Sequence, residues 1–83
     1  MKKLTLRPKI VDFLLEIYMK GFVTAKTQKV FNRGLYYFVV WDLRDRGIIR
    51  EDGYYNGEKR WVLTERGKRL VELLLPLRKE GFI

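Results

Sequence analysis

The sequence predicts a small α+β domain that is mainly helical. Three observations lead to this prediction. The chain has 83 residues, the length of a single domain spanning 1–83. Apolar residues recur at helical spacing in several segments. Two short apolar segments flank a stretch rich in glycine and asparagine near residue 55, which is the pattern of a β-hairpin.

The first predicted helix begins at Pro8, since proline suits a first helical position. Gly21 ends it in the way that glycine commonly ends helices. Its apolar residues recur three and four positions apart, as a helix requires. They are Ile10, Phe13, Leu14, Ile17 and Tyr18.

The segment after Gly21 predicts a very short strand and then a second helix. Phe22 and Val23 form the strand. Thr24 is an N-cap candidate for a helix over Ala25 to Phe31. Asn32-Arg33-Gly34 has the composition of a turn.

The run LYYFVVWDLRDRG admits two interpretations, because LYYFVVW has the β-branched and aromatic composition of a strand. The spacing of Tyr36, Val40 and Leu43 by four and three continues past that half, and Gly47 lies where a helix should stop. We therefore predict a third helix, about Leu35 to Arg46, with those three residues buried. Packing would then override local propensity.

A hairpin follows, from Ile48–Glu51 to Trp61–Thr64. A two-residue turn at Asn56-Gly57 sets Leu63 opposite Arg50. A three-residue loop, Tyr55-Asn56-Gly57, sets Leu63 opposite Ile49 and gives one apolar face, so the sequence favours this loop with Gly57 left-handed.

A fourth helix is predicted after Thr64, which can cap it. Pro76 lies inside the pattern and removes the hydrogen bond to the Glu72 carbonyl, so we expect the helix to kink or end there. Its two apolar stripes exceed what one small monomer covers. This predicts a homodimer whose interface contains Leu70, Leu73, Leu74 and Leu77.

The composition excludes several classes of site. The chain has no cysteine and no histidine, so disulfides, thiolate nucleophiles and the usual metal ligands are absent, and we expect no metal and no cofactor. The acidic residues Asp42, Asp45, Glu51 and Asp52 lie among arginines, where ion pairing explains them better than catalysis. We expect no enzyme.

The same composition bears on location and source. No apolar run approaches the length of a membrane span, and the basic N-terminus lacks the apolar region of a secretory signal. We therefore expect a cytoplasmic protein with no membrane partner. Abundant lysine, arginine and glutamate without cysteine fits a thermophile.

The net charge of +8 is unevenly placed along the chain. No acid occurs between Glu16 and Asp42, although this interval holds several lysines and an arginine. A second basic block runs from Lys59 to Arg69, interrupted only by Glu65. This placement predicts a phosphate-binding face; the alternative is a basic surface that only aids solubility.

Two motifs resemble a known family. DLRDRGII resembles the end of the recognition helix in winged helix-turn-helix proteins, and RWVLTERGKRL resembles the last strand and following cap of MarR-like and PadR-like transcription regulators. The resemblance covers about residues 8–75 and is to a small stand-alone domain of archaeal type. It implies the order helix, short strand, helix, helix, β-hairpin wing, helix.

The resemblance further implies a homodimeric regulator that binds double-stranded DNA, with the third helix in the major groove and the wing on the backbone or in the minor groove. The DNA-contacting positions carried over to this sequence are Lys26, Thr27, Lys29, Asn32, Arg33, Tyr37, Trp41, Arg44, Tyr54, Tyr55, Asn56, Lys59 and Arg60. The alternative is a winged helix that binds another protein.

The third helix departs from the family pattern, because its outward residues are aromatic whereas base reading needs hydrogen-bonding side chains. Three explanations remain open for Tyr37 and Trp41. They pack on the protein itself, including the segment around Leu4 and Leu6; they form a protein interface; or they stack on single-stranded bases.

Overall fold

The computed structural model describes residues 7–82, which form three helices and one two-stranded antiparallel sheet. The elements are α1 (Pro8–Lys20), α2 (Arg33–Asp45), β1 (Ile49–Tyr55), β2 (Glu58–Leu63) and α3 (Glu65–Lys79). This is a small, mainly helical α+β fold, and its layout is consistent with that of a winged helix. The expectations for Leu4, Leu6 and Ile83 lie outside the described residues.

The core draws on all five elements. α1 contributes the largest share, because its apolar residues fall on one face at helical spacing. α2 and α3 add narrower stripes, and the base of the hairpin closes the core from the side. The buried apolar side chains are Val11, Phe13, Leu14, Ile17, Val23, Tyr36, Val40, Leu43, Ile48, Ile49, Trp61, Leu63, Val71 and Leu74.

α1 begins at Pro8 as predicted, and Gly21 follows its last residue with φ of 89°. The predicted short strand after it is a single bridge. Val23 and Trp61 exchange two backbone hydrogen bonds of 2.9 Å, so this segment pairs with β2.

The predicted second helix, Ala25 to Phe31, is wrong. Residues 25–27 form a turn, in which the Thr24 N–H donates to the Thr27 hydroxyl oxygen at 2.9 Å. The buried side-chain oxygen of Gln28 accepts from the backbone N–H groups of Val30 and Phe31 at 3.0 and 2.8 Å. Side chains therefore bond to backbone N–H groups that a helix would have paired with carbonyls. Local bonds of this kind compete with helix formation.

The helical interpretation of LYYFVVW is confirmed. α2 runs from Arg33 to Asp45 and buries Tyr36, Val40 and Leu43. It ends as predicted at Gly47, whose φ is 75° and whose N–H donates to the Arg44 carbonyl at 2.9 Å. The Ile48 N–H reaches the Leu43 carbonyl at 2.9 Å, which completes a Schellman motif.

In the hairpin, the predicted register is confirmed and the predicted loop is wrong. Leu63 lies opposite Ile49 as expected, but the tip is a two-residue turn in which Asn56 and Gly57 both have positive φ. The extra residue is absorbed between Glu51 and Tyr54, where the register shifts and Gly53 has φ of 75°. A bulge in β1 thus reconciles the favoured type I′ turn with the apolar pairing at the base.

α3 begins after Thr64, whose side chain accepts from the Gly67 N–H at 3.0 Å. The expectation that Pro76 ends it is wrong, because the helix continues to Lys79. Backbone bonds beyond the proline close the last turn: Glu80 N–H donates to the Pro76 carbonyl at 3.0 Å, and Phe82 N–H donates to the Leu77 carbonyl at 2.9 Å. An ion pair between Arg78 and Asp12 also ties this turn to α1.

Candidate nucleic-acid interface

A cleft of about 570 Å³ separates α2 from the tip of the hairpin. The turn at residues 25–27 closes one side of it, because Ala25 and Lys26 also line the cleft. Seven of the predicted DNA-contacting residues meet here although they are far apart in sequence. They are Lys26, Arg33, Tyr37, Trp41, Arg44, Asn56 and Lys59.

The carboxylate of Glu58, which lines the cleft, bonds to two other segments that line it. Glu58 Oε1 accepts the Lys26 backbone N–H at 2.9 Å, and its other oxygen lies 3.5 Å from Arg33 Nη2. Its side chain is largely buried, whereas that of Arg33 is 65% exposed. One acid therefore joins the turn, the start of α2 and the start of β2.

Glu58 was not among the site residues predicted from the sequence. The available signal was its position directly after the Asn56-Gly57 turn, as the acid next to Lys59 and Arg60. Its partner Lys26 has no ion pair of its own within residues 7–82, so that ammonium group is available to a ligand.

Two aromatic rings of α2 lie side by side on the cleft wall. The centroids of Tyr37 and Trp41 are 5.9 Å apart with planes inclined by 36°, as expected for residues four apart on a helix. Trp41 is 48% exposed, and Tyr37 is partly buried against the core. Tyr37 also meets Tyr36 edge-on at 5.2 Å, so the core supports this pair of rings from behind.

The hydroxyl of Tyr36 is a buried polar group on a residue that lines the same cleft. The residue lines the cleft and is 1% exposed, and its hydroxyl has no hydrogen-bond partner among the described residues. Burial raises the pKa of this hydroxyl, and the neighbouring Tyr37 and Glu58 groups raise it further. Tyr36 is therefore a neutral group with an unused donor at any physiological pH.

Other predicted contacts have internal roles. The Asn32 side chain caps α2 by accepting the Leu35 N–H at 2.9 Å, and the Thr27 hydroxyl stabilises the turn after Thr24. Arg60 donates to the carbonyl and the carboxylate of Asp52, and its guanidinium lies 5.2 Å from the centre of the Phe22 ring. Arg60 thus fills the bulge of the hairpin.

The remaining predicted contacts lie outside the cleft. Tyr55 packs on Phe22 with ring centroids 4.8 Å apart, whereas Tyr54 is 72% exposed on β1. Lys29 is exposed on the segment before α2.

The leucines predicted to form a dimer interface divide between core and surface. Leu74 is buried within the monomer, and Leu70 is partly buried against the core. Leu73 is 70% exposed and Leu77 is 43% exposed. An interface on α3 would therefore consist of Leu73 and Leu77, together with the exposed Phe82.

Within residues 7–82, no group of His, Cys, Asp or Glu side chains is arranged to hold a metal ion. None of the helices in that range has the length and apolar character of a membrane span. Comparisons with protein-family models, curated proteins and solved structures found no match to this chain. The chemistry of the cleft and its surroundings is therefore the basis for assigning a function.

Proposed function

We propose that this chain is a winged helix-turn-helix protein that binds double-stranded DNA and regulates transcription. In this proposal α2 enters the major groove and the β1–β2 hairpin is the wing. The observation that carries the proposal is the convergence of four cationic residues on one cleft. Lys26 comes from the turn, Arg33 and Arg44 from α2, and Lys59 from the hairpin.

The charge of the whole chain supports an anionic partner. With a net charge of +8 on 83 residues, long-range attraction favours encounter with nucleic acid. Each lysine or arginine that neutralises a phosphate releases bound cations from DNA, and this release drives association at low salt.

The side chains of α2 favour backbone contact over base reading. Asn32 is engaged as a helix cap, and the rings of Tyr37 and Trp41 offer few hydrogen bonds to base edges. Arg33 and Arg44 remain as candidates for base contact, although Arg44 is also paired with Asp45 at 3.2 Å. We therefore expect affinity that depends mainly on phosphates and only modest sequence preference.

The proposal includes a homodimer. Leu73 and Phe82 are among the most exposed large apolar side chains of the described chain, and Leu77 lies one helical turn from Leu73. A contiguous apolar stripe of this kind favours an isologous contact between two α3 helices.

A second candidate function is a module that binds another protein. It is favoured by the exposed aromatic surface of α2, where Phe38 is 71% exposed and meets Trp41 at a centroid distance of 6.4 Å. Aromatic residues are enriched at protein interfaces, so this surface also fits a protein partner.

A salt titration of binding to a random-sequence duplex tests the proposal. We expect the logarithm of the association constant to fall steeply with the logarithm of salt concentration. Lys26→Ala should lower that slope by about one unit, since it removes about one phosphate contact. Lys68→Ala is the matched control, because Lys68 lies outside the cleft and pairs with Glu65.

Two outcomes would contradict the proposal. Absence of binding at low salt would favour the protein-binding function. Equal slopes for the parent, Lys26→Ala and Lys68→Ala would show that binding does not involve the cleft.

A further inference from the structure

We propose that the cleft between α2 and the hairpin binds one unpaired nucleobase, while the cations around it hold the adjoining phosphates. The inference rests on the proposed DNA-binding function and makes its substrate more specific. The preferred ligand would be a duplex that carries an unstacked nucleotide, rather than a fully paired duplex.

The stacking surface is the first argument. Tyr37 and Trp41 form a pair of adjacent rings, and Trp41 remains about half exposed at the cleft. Both faces of a base inside a duplex are already covered by its neighbours, so a paired base cannot use these rings. An unpaired base has a free face, and stacking on aromatic side chains is the usual way in which proteins hold such bases.

The charge around the rings is the second argument. Lys26, Arg44 and Lys59 lie at the same cleft as Trp41, so a ligand that fits must combine an aromatic plane with negative charge. A nucleotide in a DNA strand has both, because each base is linked to flanking phosphates. Arg44 pairs with Asp45 and Lys59 pairs with Glu51, each at 3.2 Å, whereas Lys26 has no ion pair among residues 7–82. A purely apolar partner would therefore leave the Lys26 ammonium group desolvated without compensation.

The polar groups of the inner cleft are the third argument. Tyr36 and Glu58 both line it; the Tyr36 hydroxyl is buried and has no hydrogen-bond partner among residues 7–82. The Glu58 carboxylate can accept from the N–H groups of a base edge, whereas it would repel a phosphate. The base would therefore lie inside and its phosphates outside.

The size of the cleft agrees with this assignment. A volume of about 570 Å³ lies within the range of roughly 300–1,000 Å³ that is typical of pockets for small organic ligands. It suits one nucleotide unit, and a base pair that stays stacked in its duplex cannot enter it.

The test compares three duplexes of identical sequence at one salt concentration. The first is fully paired, the second carries one bulged thymine, and the third carries an abasic residue at the same bulge. We expect the bulged thymine to bind about tenfold more tightly than the paired duplex, the size expected for one stacked base. The abasic bulge should bind like the paired duplex, because it keeps the bend and the phosphate but lacks the base.

Variants then locate the effect. Trp41→Leu should reduce the ratio of the two dissociation constants, paired over bulged, to about one. Tyr18→Leu should keep the ratio of the parent, because Tyr18 is an exposed aromatic residue of α1 that does not line this cleft. The comparison of the three duplexes uses the unaltered protein, so it remains decisive if Trp41→Leu fails to fold.

The outcomes separate the inference from the proposed function. Equal binding of the paired and bulged duplexes would overturn the inference and leave the DNA-binding function standing. No binding to any duplex would overturn both. Competition by free thymidine monophosphate at the concentration of the duplex would assign the cleft to a free nucleotide and would also overturn the inference.

Discussion

The exposed apolar surfaces on α2 and on α3 differ in chemistry. On α2 they are the rings of Tyr37 and Trp41, at a cleft that also holds Lys26 and Arg33. On α3, whose sequence contains no aromatic residue, they are the aliphatic side chains of Leu73 and Leu77.

Exposed apolar area alone therefore does not identify the kind of partner that a surface binds. Planar rings beside cations match a polyanion with aromatic bases. Aliphatic side chains offer no ring on which a base could stack, and they match an apolar protein surface. Four experiments test whether α2 binds nucleic acid and α3 binds a second copy of the chain.

The largest effect is expected on α3. The double variant Leu73→Glu, Leu77→Glu should weaken dimer formation at least a hundredfold, or about 3 kcal/mol, because it removes two leucines and places like charges across the symmetry axis. The fold should survive, since both side chains are exposed in the monomer. Sedimentation velocity at micromolar concentration measures the change. A parent protein that sediments as a monomer would refute the dimer.

The next effect concerns the rings of α2. The double variant Tyr37→Ser, Trp41→Lys should lower the free energy of unfolding by about 1–2 kcal/mol, because Tyr37 is only partly buried and Trp41 is about half exposed. Urea denaturation measures this loss. The oligomeric state should not change. A loss of about 3 kcal/mol or more would mean that the rings belong to the core, and a change of oligomeric state would mean that α2 is the protein interface.

A smaller effect is expected at Glu58. Glu58→Gln should raise the affinity for a random duplex about fivefold, since it removes one negative charge, worth about 1 kcal/mol, from a surface that faces phosphates. The glutamine oxygen can still accept the Lys26 N–H. Glu65→Gln, on α3, is the control and should change affinity less. Weaker binding by Glu58→Gln would mean that the pair with Arg33 is needed to shape the cleft.

The smallest effect is expected at Tyr36. Tyr36→Phe should leave the free energy of unfolding unchanged or raise it by about 1 kcal/mol, because the hydroxyl that is removed is buried and has no partner among the described residues. Thermal denaturation can compare it with Tyr54→Phe, which lies at the surface and should have no effect. A clear loss of stability for Tyr36→Phe would show that the hydroxyl makes a stabilising bond.

Much of the fold could be predicted from apolar spacing and from the residues at helix ends. The apolar spacing of Tyr36, Val40 and Leu43 predicted α2 although LYYFVVW favours a strand. Gly47 predicted the end of α2, and Thr64 predicted the start of α3, because each supplies a conformation or a hydrogen bond that a helix end needs.

The errors occurred where contacts that periodicity does not reveal decide the backbone. Residues 25–31 have the composition of a helix start, yet Gln28 satisfies the backbone of Val30 and Phe31. Pro76 is tolerated inside α3, whose last turn is joined to α1 through Arg78. At Gln28 a side chain replaces backbone bonds, and after Pro76 the backbone bonds of the next turn continue the helix. Apolar periodicity carries no information about either feature.

The candidate site shows the same difference between what the sequence predicted and what tertiary contacts decided. The family resemblance singled out Lys26, Arg33, Tyr37, Trp41, Arg44 and Lys59, which line the cleft, but it did not single out Glu58 or the unpartnered hydroxyl of Tyr36. Asn32 and Arg60 were predicted to contact DNA; in the structure Asn32 caps α2 and Arg60 fills the bulge, and their contact with DNA stays a prediction. Residue type indicates what a side chain can bind, whereas only its neighbours decide whether that capacity is already used.

Features that depend on residues close together in the chain could be predicted from the sequence. They are the helical stripes, the helix ends at Gly47 and Thr64, the strand register and the surplus of positive charge. Only the tertiary structure decided that the bulge at Gly53 absorbs the extra hairpin residue and that Lys26, Trp41 and Lys59 share one cleft. The physical reason is that the cleft is enclosed by three segments far apart in sequence, and packing around the buried Tyr36 and Trp61 sets their positions.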